Sequence, residues 1–255
     1  MRHVRSRITA AAVPLAIVLL VAGCRSTAAP PKTEPRPPVS RAPELPADIH
    51  WVRNSAEYRA AVLQVYRSAT ARLERLAEGR EPGTWAVVSD ADETILDNSQ
   101  YQKELAEQGL GFTPESWAEW VRRREAPPIP GAVEFLRRVR ALGGRIAIVT
   151  NRSEPLCPAS EENFRSFEIP FDVMLCRPES SGDKNPRFSR VSEGRASADL
   201  PPLEIVMWLG DNIHDFPKLG QDVRHQPDSA VADFGTRYVV FPNPMYGSWT
   251  RNPRE

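Results

Sequence analysis

Trp85-Ala86-Val87-Val88-Ser89-Asp90-Ala91-Asp92-Glu93-Thr94 is an apolar run that stops at two carboxylates spaced one residue apart. Five β-compatible residues followed by acids predict a buried strand of a parallel sheet. Asp90 and Asp92 would then lie in the crevice beyond its carboxyl end, where open α/β sheets bind ligands. The strand period of two, only approximate there, leaves both side chains able to face one small volume. At a separation of about 4 Å and an effective dielectric of about 20, their repulsion is about 4 kcal/mol. One carboxyl must therefore stay protonated, or a cation must lie between them. Either outcome serves chemistry, with one carboxylate as nucleophile or metal ligand and the other as general acid. Taken alone, D-x-D-x-T after a strand is equally the pattern of a solvated acidic turn, so the rest of the chain has to decide.

Upstream, Asn54-Ser55-Ala56-Glu57 carries a helix-start spacing and Gly79 a stop. Between them Tyr58, Val62, Val65, Tyr66, Ala69, Leu73 and Leu76 form an apolar stripe suited to lying on a sheet. Downstream, Tyr101 to Gly109 and Thr113 to about Arg124 read as two short helices inserted before the next βα unit. The insertion, residues 97–128, would lie over the crevice as a cap. Its Tyr101, Phe112, Trp117 and Trp120 could stack a substrate ring or pack the cap onto the core. Packing is the favoured reading for Phe112 and the tryptophans, and the two are even for Tyr101.

A helix follows from Pro128-Ile129-Pro130-Gly131 through Leu142, and Arg145 to Thr150 is a second buried strand ending in Thr150-Asn151-Arg152. A helix over residues 160–167 leads to a third strand, Phe171 to Cys176, then to a polar loop holding Lys184. A solvated segment precedes a fourth strand, Glu204 to Leu209, which ends in Gly210-Asp211-Asn212-Ile213-His214-Asp215. The last strand, Arg237 to Phe241, runs into a Pro-rich tail. Strands alternating with helices imply a mostly parallel sheet with right-handed crossovers.

In a doubly wound sheet Asp90/Asp92, Thr150-Asn151, Lys184 and Asp211/Asp215 all converge on one crevice. A nucleophilic carboxylate, a proton donor, a hydroxyl, an ammonium and a second acid pair suit attack on phosphorus. Asp90, Asp211 and a phosphate dianion opposed only by Lys184 would repel severely, which calls for a divalent cation. Oxygen-only ligands and a phosphate partner favour Mg²⁺. The expected ligands are the Asp90 and Asp211 carboxylates and the Asp92 backbone carbonyl, with Asp215 holding a metal-bound water or the loop.

The 255 residues, with 33 basic and 33 acidic side chains, suffice for one α/β domain plus an appendage. A basic start, Met1 to Arg7, precedes an apolar run from Ile8 to Val21, the two parts of an export signal. The run ends Leu20-Val21-Ala22-Gly23-Cys24, which resembles a bacterial lipobox with Cys24 as the acylated first residue of the mature chain. Residues 1–23 are thus expected as a signal peptide. Residues 24–48, rich in proline and devoid of an apolar period, are expected as a tether, and 49–255 as the folded domain. Losing Arg2, Arg5 and Arg7 leaves 30 basic against 33 acidic residues, which argues against a nucleic-acid polymer as partner. Acylation implies a lipid-anchored protein of the cell envelope, on the periplasmic or outer-membrane face. Cys157 and Cys176 are left open between a disulfide and two thiols.

Asp90-Ala91-Asp92-Glu93-Thr94 with Leu96-Asp97-Asn98, Thr150-Asn151-Arg152, Lys184, Gly210-Asp211-Asn212 with Asp215-Phe216, and Pro242-Asn243-Pro244-Met245-Tyr246-Gly247-Ser248-Trp249 resemble the bacterial class C nonspecific acid phosphatases. These are lipoprotein members of the haloacid dehalogenase (HAD) superfamily. The resemblance implies a three-layer sandwich with a central, mostly parallel sheet and a small helical cap. It also implies Mg²⁺-dependent hydrolysis of phosphate monoesters, including nucleoside monophosphates, through an aspartyl-phosphate. Asp90 would be the nucleophile and Asp92 the acid and base, while Thr150, Asn151 and Lys184 hold phosphate oxygens. Tyr246 would border the substrate group, and a homodimer is an assembly such relatives often form. Two other readings are weaker. A dehalogenase has no use for the acid at Asp92, and a surface lipoprotein that binds nucleotides or another ligand without turnover gains nothing from a nucleophilic carboxylate.

Overall fold

In a computed structural model the chain is described over residues 44–254. The expected signal peptide, Cys24 and most of the expected tether lie outside the described residues. The first helix, α1 (Ala47–Asn54), is followed by α2 (Ala56–Ala77), and Ser55 between them caps α2 by accepting the Tyr58 N–H at 3.0 Å. Then come β1 (Trp85–Ser89), the cap helices α3 (Ser99–Gln108) and α4 (Pro114–Arg123), α5 (Ala132–Ala141), β2 (Arg145–Ser153), α6 (Cys157–Ser166) and β3 (Val173–Arg177). The chain closes with α7 (Asn185–Ser192), β4 (Glu204–Gly210) and β5 (Tyr238–Val240). No helix among the described residues is long and apolar enough to cross a membrane.

The five strands form one parallel sheet in the order β3-β2-β1-β4-β5. The central strand is β1, and every one of its residues is buried, which is why it reads as a continuous apolar run rather than an alternation. Its period of two still decides which core each residue joins. Val87, with Ile146, Ile148, Met207 and Leu209 of the neighbouring strands, packs into the core that contains α2, α5 and α6 side chains such as Leu73, Phe135 and Phe164. Ala86 and Val88, with Ala147, Val149 and Trp208, point the other way toward Phe188 and Val191 of α7. Two helical layers therefore enclose the sheet, and the architecture is the expected α/β three-layer sandwich.

From β1 the chain steps to β2 and β3 on one side, then returns to β4 on the other. The winding reverses between β1 and β4, and a crevice opens at the carboxyl ends of strands where it does so. Asp90 follows β1 and Asp211 follows β4, so the two flank that crevice.

Helix α7 is a departure from the sequence reading, which made this stretch a polar loop and a solvated segment. Pro186 sits in the first turn, where its missing N–H is not needed. Only Phe188 and Val191 mark an apolar face, too few to show a period.

Candidate active site

The chain turns sharply as β1 ends. The Asp90 N–H donates to the Leu209 carbonyl of β4 at 2.9 Å, and the Asp92 N–H donates to Asp90 Oδ2 at 3.1 Å. Glu93 takes a left-handed backbone (φ 51°), a conformation that costs a non-glycine residue about 1–2 kcal/mol. The turn it makes returns Ile95 and Leu96 N–H groups to the Ala91 carbonyl.

Lys184 stands immediately before α7, is buried, and donates from Nζ to Asp90 Oδ1 at 2.5 Å and Asp215 Oδ1 at 2.6 Å. One turn later, Arg187 donates to the Thr150 and Leu175 carbonyls and, at 2.6 Å, to Asn151 Oδ1. Helix α7 thus fastens the ends of β2 and β3 to the site. Asp211 accepts from Asn243 Nδ2 at 2.8 Å, and Asp215 accepts the Asn212 N–H at 2.8 Å. Asn212 in turn accepts from Ser248 Oγ at 2.8 Å, which ties the C-terminal segment and Tyr246 to the same loop.

Carboxylate oxygens of Asp90, Asp211 and Asp215 all lie within 4.8 Å of one another. Three carboxylates face one ammonium, so two negative charges are uncompensated when all are ionised. Burial pushes the Asp90 carboxyl up to about 7, with Lys184 opposing and the charges of Asp215 and Asp92 adding to the rise. Asp211 is raised well above the ordinary carboxylate range by removal from water and by Asp215 and Asp90. Hard oxygen donors carrying excess negative charge fit a divalent cation. Asp215, expected to hold a metal-bound water or the loop, supplies a carboxylate to this trio. The Asp92 side chain does not: it is held by Arg152 Nη2 at 2.7 Å, Arg152 Nε at 3.0 Å and Asn98 Nδ2 at 2.9 Å.

A cleft of about 560 Å³ opens over these groups, bordered by Asp90, Asp92, Asn151, Lys184, Asp211, Asp215 and Tyr246, with Phe112 and Trp117 from the cap. Two expectations change here. Tyr101 does not line the cleft; it is 3% exposed, lies 5.2 Å from Trp117 and 6.1 Å from Trp120 between ring centroids, and bonds its hydroxyl to Ser116. Phe112 and Trp117, read as packing residues, border the cleft instead, while Trp120 is buried and donates to Asn98 Oδ1. Thr150 lies below the cleft wall, fully buried, its hydroxyl accepting the Arg152 N–H. Sequence reasoning gave no role to Arg152, Asn98, Arg187 or Asn243. Arg152 and Asn98 appear in the quoted motifs, but what they touch is set by tertiary folding.

The family described as HAD superfamily, subfamily IIIB (Acid phosphatase) matches residues 23–249. Among solved structures, the chain is similar to the class C acid phosphatase from Bacillus anthracis with tungstate bound. It shares 30% identity over 79% of this chain and 84% of that one, with a TM-score of 0.71. A second structure of the class C acid phosphatase from Bacillus anthracis aligns with 31% identity over the same shares and a TM-score of 0.70.

Proposed function

Because the chain belongs to HAD subfamily IIIB, the acid phosphatases, and is a phosphoric monoester hydrolase, we propose that it works through an aspartyl-phosphate on Asp90, with Mg²⁺ held by Asp90, Asp211 and Asp215 and the Asp92 backbone carbonyl. The observation that carries this reading is the trio of carboxylates at the sheet's reversal point, with Lys184 the one cation paired to them among the described residues. Mg²⁺, when bound, supplies neutralisation of the charge shared by nucleophile and phosphoryl oxygens.

In the first half of the reaction Asp90 attacks phosphorus in line. The P–O ester bond breaks, and the Asp92 carboxyl gives its proton to the departing alkoxide. In the second half the Asp92 carboxylate takes a proton from water as its oxygen attacks phosphorus, releasing inorganic phosphate and restoring Asp90. Lys184 and Asn151 hold phosphoryl oxygens. Asn151 Oδ1 is engaged by Arg187, which leaves the Nδ2 hydrogens free to donate. Thr150, fully buried, supports this set from beneath, its hydroxyl oxygen accepting the Arg152 N–H.

Trp117, Phe112 and Tyr246 give the cleft aromatic walls suited to the base of a nucleoside monophosphate. The Cys24 lipobox supports an acylated anchor in the cell envelope, and a Cys157–Cys176 disulfide is at home in such an oxidising compartment. A homodimer is the assembly suggested by the family resemblance. The test is release of p-nitrophenol from p-nitrophenyl phosphate by the purified domain. Activity lost in EDTA and restored by Mg²⁺ is expected, and metal-independent or absent release would overturn the reading.

A further inference from the structure

Asp92 is gripped by a group that the reaction scheme above leaves without a task. Arg152 lies near the end of β2 with its side chain wholly buried, whereas the Asp92 side chain keeps 16% of its surface exposed at the cleft. The guanidinium reaches Asp92 from two nitrogens, Nε at 3.0 and 3.2 Å from the two carboxylate oxygens and Nη2 at 2.7 Å from Oδ1. Its remaining bonds go to Ser160 Oγ and Asn98 Oδ1, both at 3.3 Å, so the fork is fixed from α6 and from the turn after β1. A planar fork held this way sets the angle of a carboxylate, which a lysine ammonium does not. The same guanidinium carbon lies 5.5 Å from the centroid of Trp117, a cap residue that borders the cleft.

We infer that Arg152 is the positioning residue for Asp92, and that its contact with Trp117 makes the acid–base geometry depend on how the cap is seated. The inference rests on the phosphatase reading, because Asp92 needs a set angle only if it moves protons to and from the cleft. A general acid must lie within hydrogen-bond reach of the leaving oxygen, so a tilt of its carboxyl is felt where the leaving group needs a proton most. A p-nitrophenolate leaves with little help, while an alkoxide such as that of glycerol does not.

The test compares kcat and KM for p-nitrophenyl phosphate and glycerol 1-phosphate in wild type, Arg152→Lys, Arg152→Gln, Trp117→Leu and Asp92→Asn, with folding checked by circular dichroism. Arg152→Gln is expected to lower kcat/KM for the glycerol ester about 100-fold and for the nitrophenyl ester under about tenfold, within the range a general acid contributes. Arg152→Lys falls between wild type and Arg152→Gln. Adding Arg152→Gln to Asp92→Asn brings no further discrimination between the esters. Trp117→Leu shows the same bias toward the glycerol ester, in kcat and not only in KM. Equal losses on both esters would show that Arg152 merely supports the fold, and a purely KM effect of Trp117→Leu would break the link to the cap. If Arg152→Gln does not fold, Arg152→Lys and Trp117→Leu carry the same comparison. A wild-type domain without metal-dependent turnover would overturn the phosphatase reading itself, an outcome distinct from either of these.

Discussion

Gly210 and Asp215 approach so closely that a methyl group on Gly210 would sit 2.2 Å from the Asp215 Cβ and 2.3 Å from its Oδ2. Strand β4 must end in glycine for Asp215 to fold back over it, accept the Asn212 N–H and meet Lys184. Gly210→Ala is therefore expected to destabilise the domain by about 1–3 kcal/mol, as overpacking does, and to displace one carboxylate of the Asp90, Asp211 and Asp215 trio. Urea unfolding and the Mg²⁺ concentration for half-maximal activity read the two effects. Wild-type values of both would show that Asp215 has room to move without consequence.

The pH dependence of stability follows from the raised carboxyls. Burial lifts Asp90 to about 7 despite Lys184, and Asp211 and Glu93, the latter raised by burial and by Asp92, lie above their ordinary range. In the metal-free protein the folded state keeps protons that the unfolded state releases from about pH 4 upward. The stability Asp90 contributes is complete below about pH 4 and is lost as pH rises through about 7, and Asp211 and Glu93 act in the same direction. In EDTA, Tm is expected to be higher at pH 5 than at pH 7.5. Added Mg²⁺ should raise Tm more at pH 7.5, where Asp90 has largely lost its proton and fewer protons compete with the metal. Scanning calorimetry at the two pH values checks this, and a metal-free Tm that rises from pH 5 to 7.5 would contradict it.

The Cys157–Cys176 bridge joins the first residue of α6 to β3, with a Cα separation of 6.0 Å across 19 residues of sequence. Closing a loop of that length contributes about 3 kcal/mol by restricting the unfolded chain. Cys157→Ser with Cys176→Ser should lower Tm while leaving kcat on p-nitrophenyl phosphate at 25 °C close to wild type, since neither cysteine borders the cleft. A large loss of kcat in a folded double variant would give the bridge a part in shaping the site.

Strand β1 was legible because burial on both faces leaves it uninterrupted by polar residues, and the acids after it and after β4 mark where the sheet stops. The reversal of winding then brings Asp90, Asp211 and Asp215 together from positions about 120 residues apart. Tertiary detail did not show. Tyr101 and Trp117 are both aromatic residues on short cap helices, and only the docking of α3 and α4 decides that one is buried and the other meets the cleft. Arg152 reads as an ordinary charge after a strand, because the carboxylate it grips is 60 residues away. Helix α7 was hidden by Asn185-Pro186 and a short apolar face, though it seats Arg187 and follows directly on Lys184. The disulfide stayed open because spacing alone says nothing of the distance between α6 and β3.

If Asp90 is the nucleophile, it becomes covalently phosphorylated during turnover. Quenching the enzyme in acid during turnover, reducing any acyl phosphate with borohydride and mapping the peptides by mass spectrometry tests it directly. Homoserine at position 90 is expected in wild type, dependent on Mg²⁺ and on substrate, and absent in an inactive but folded Asp90→Asn protein. Steady phosphate release with position 90 unmodified, or turnover retained by Asp90→Asn, would contradict the account.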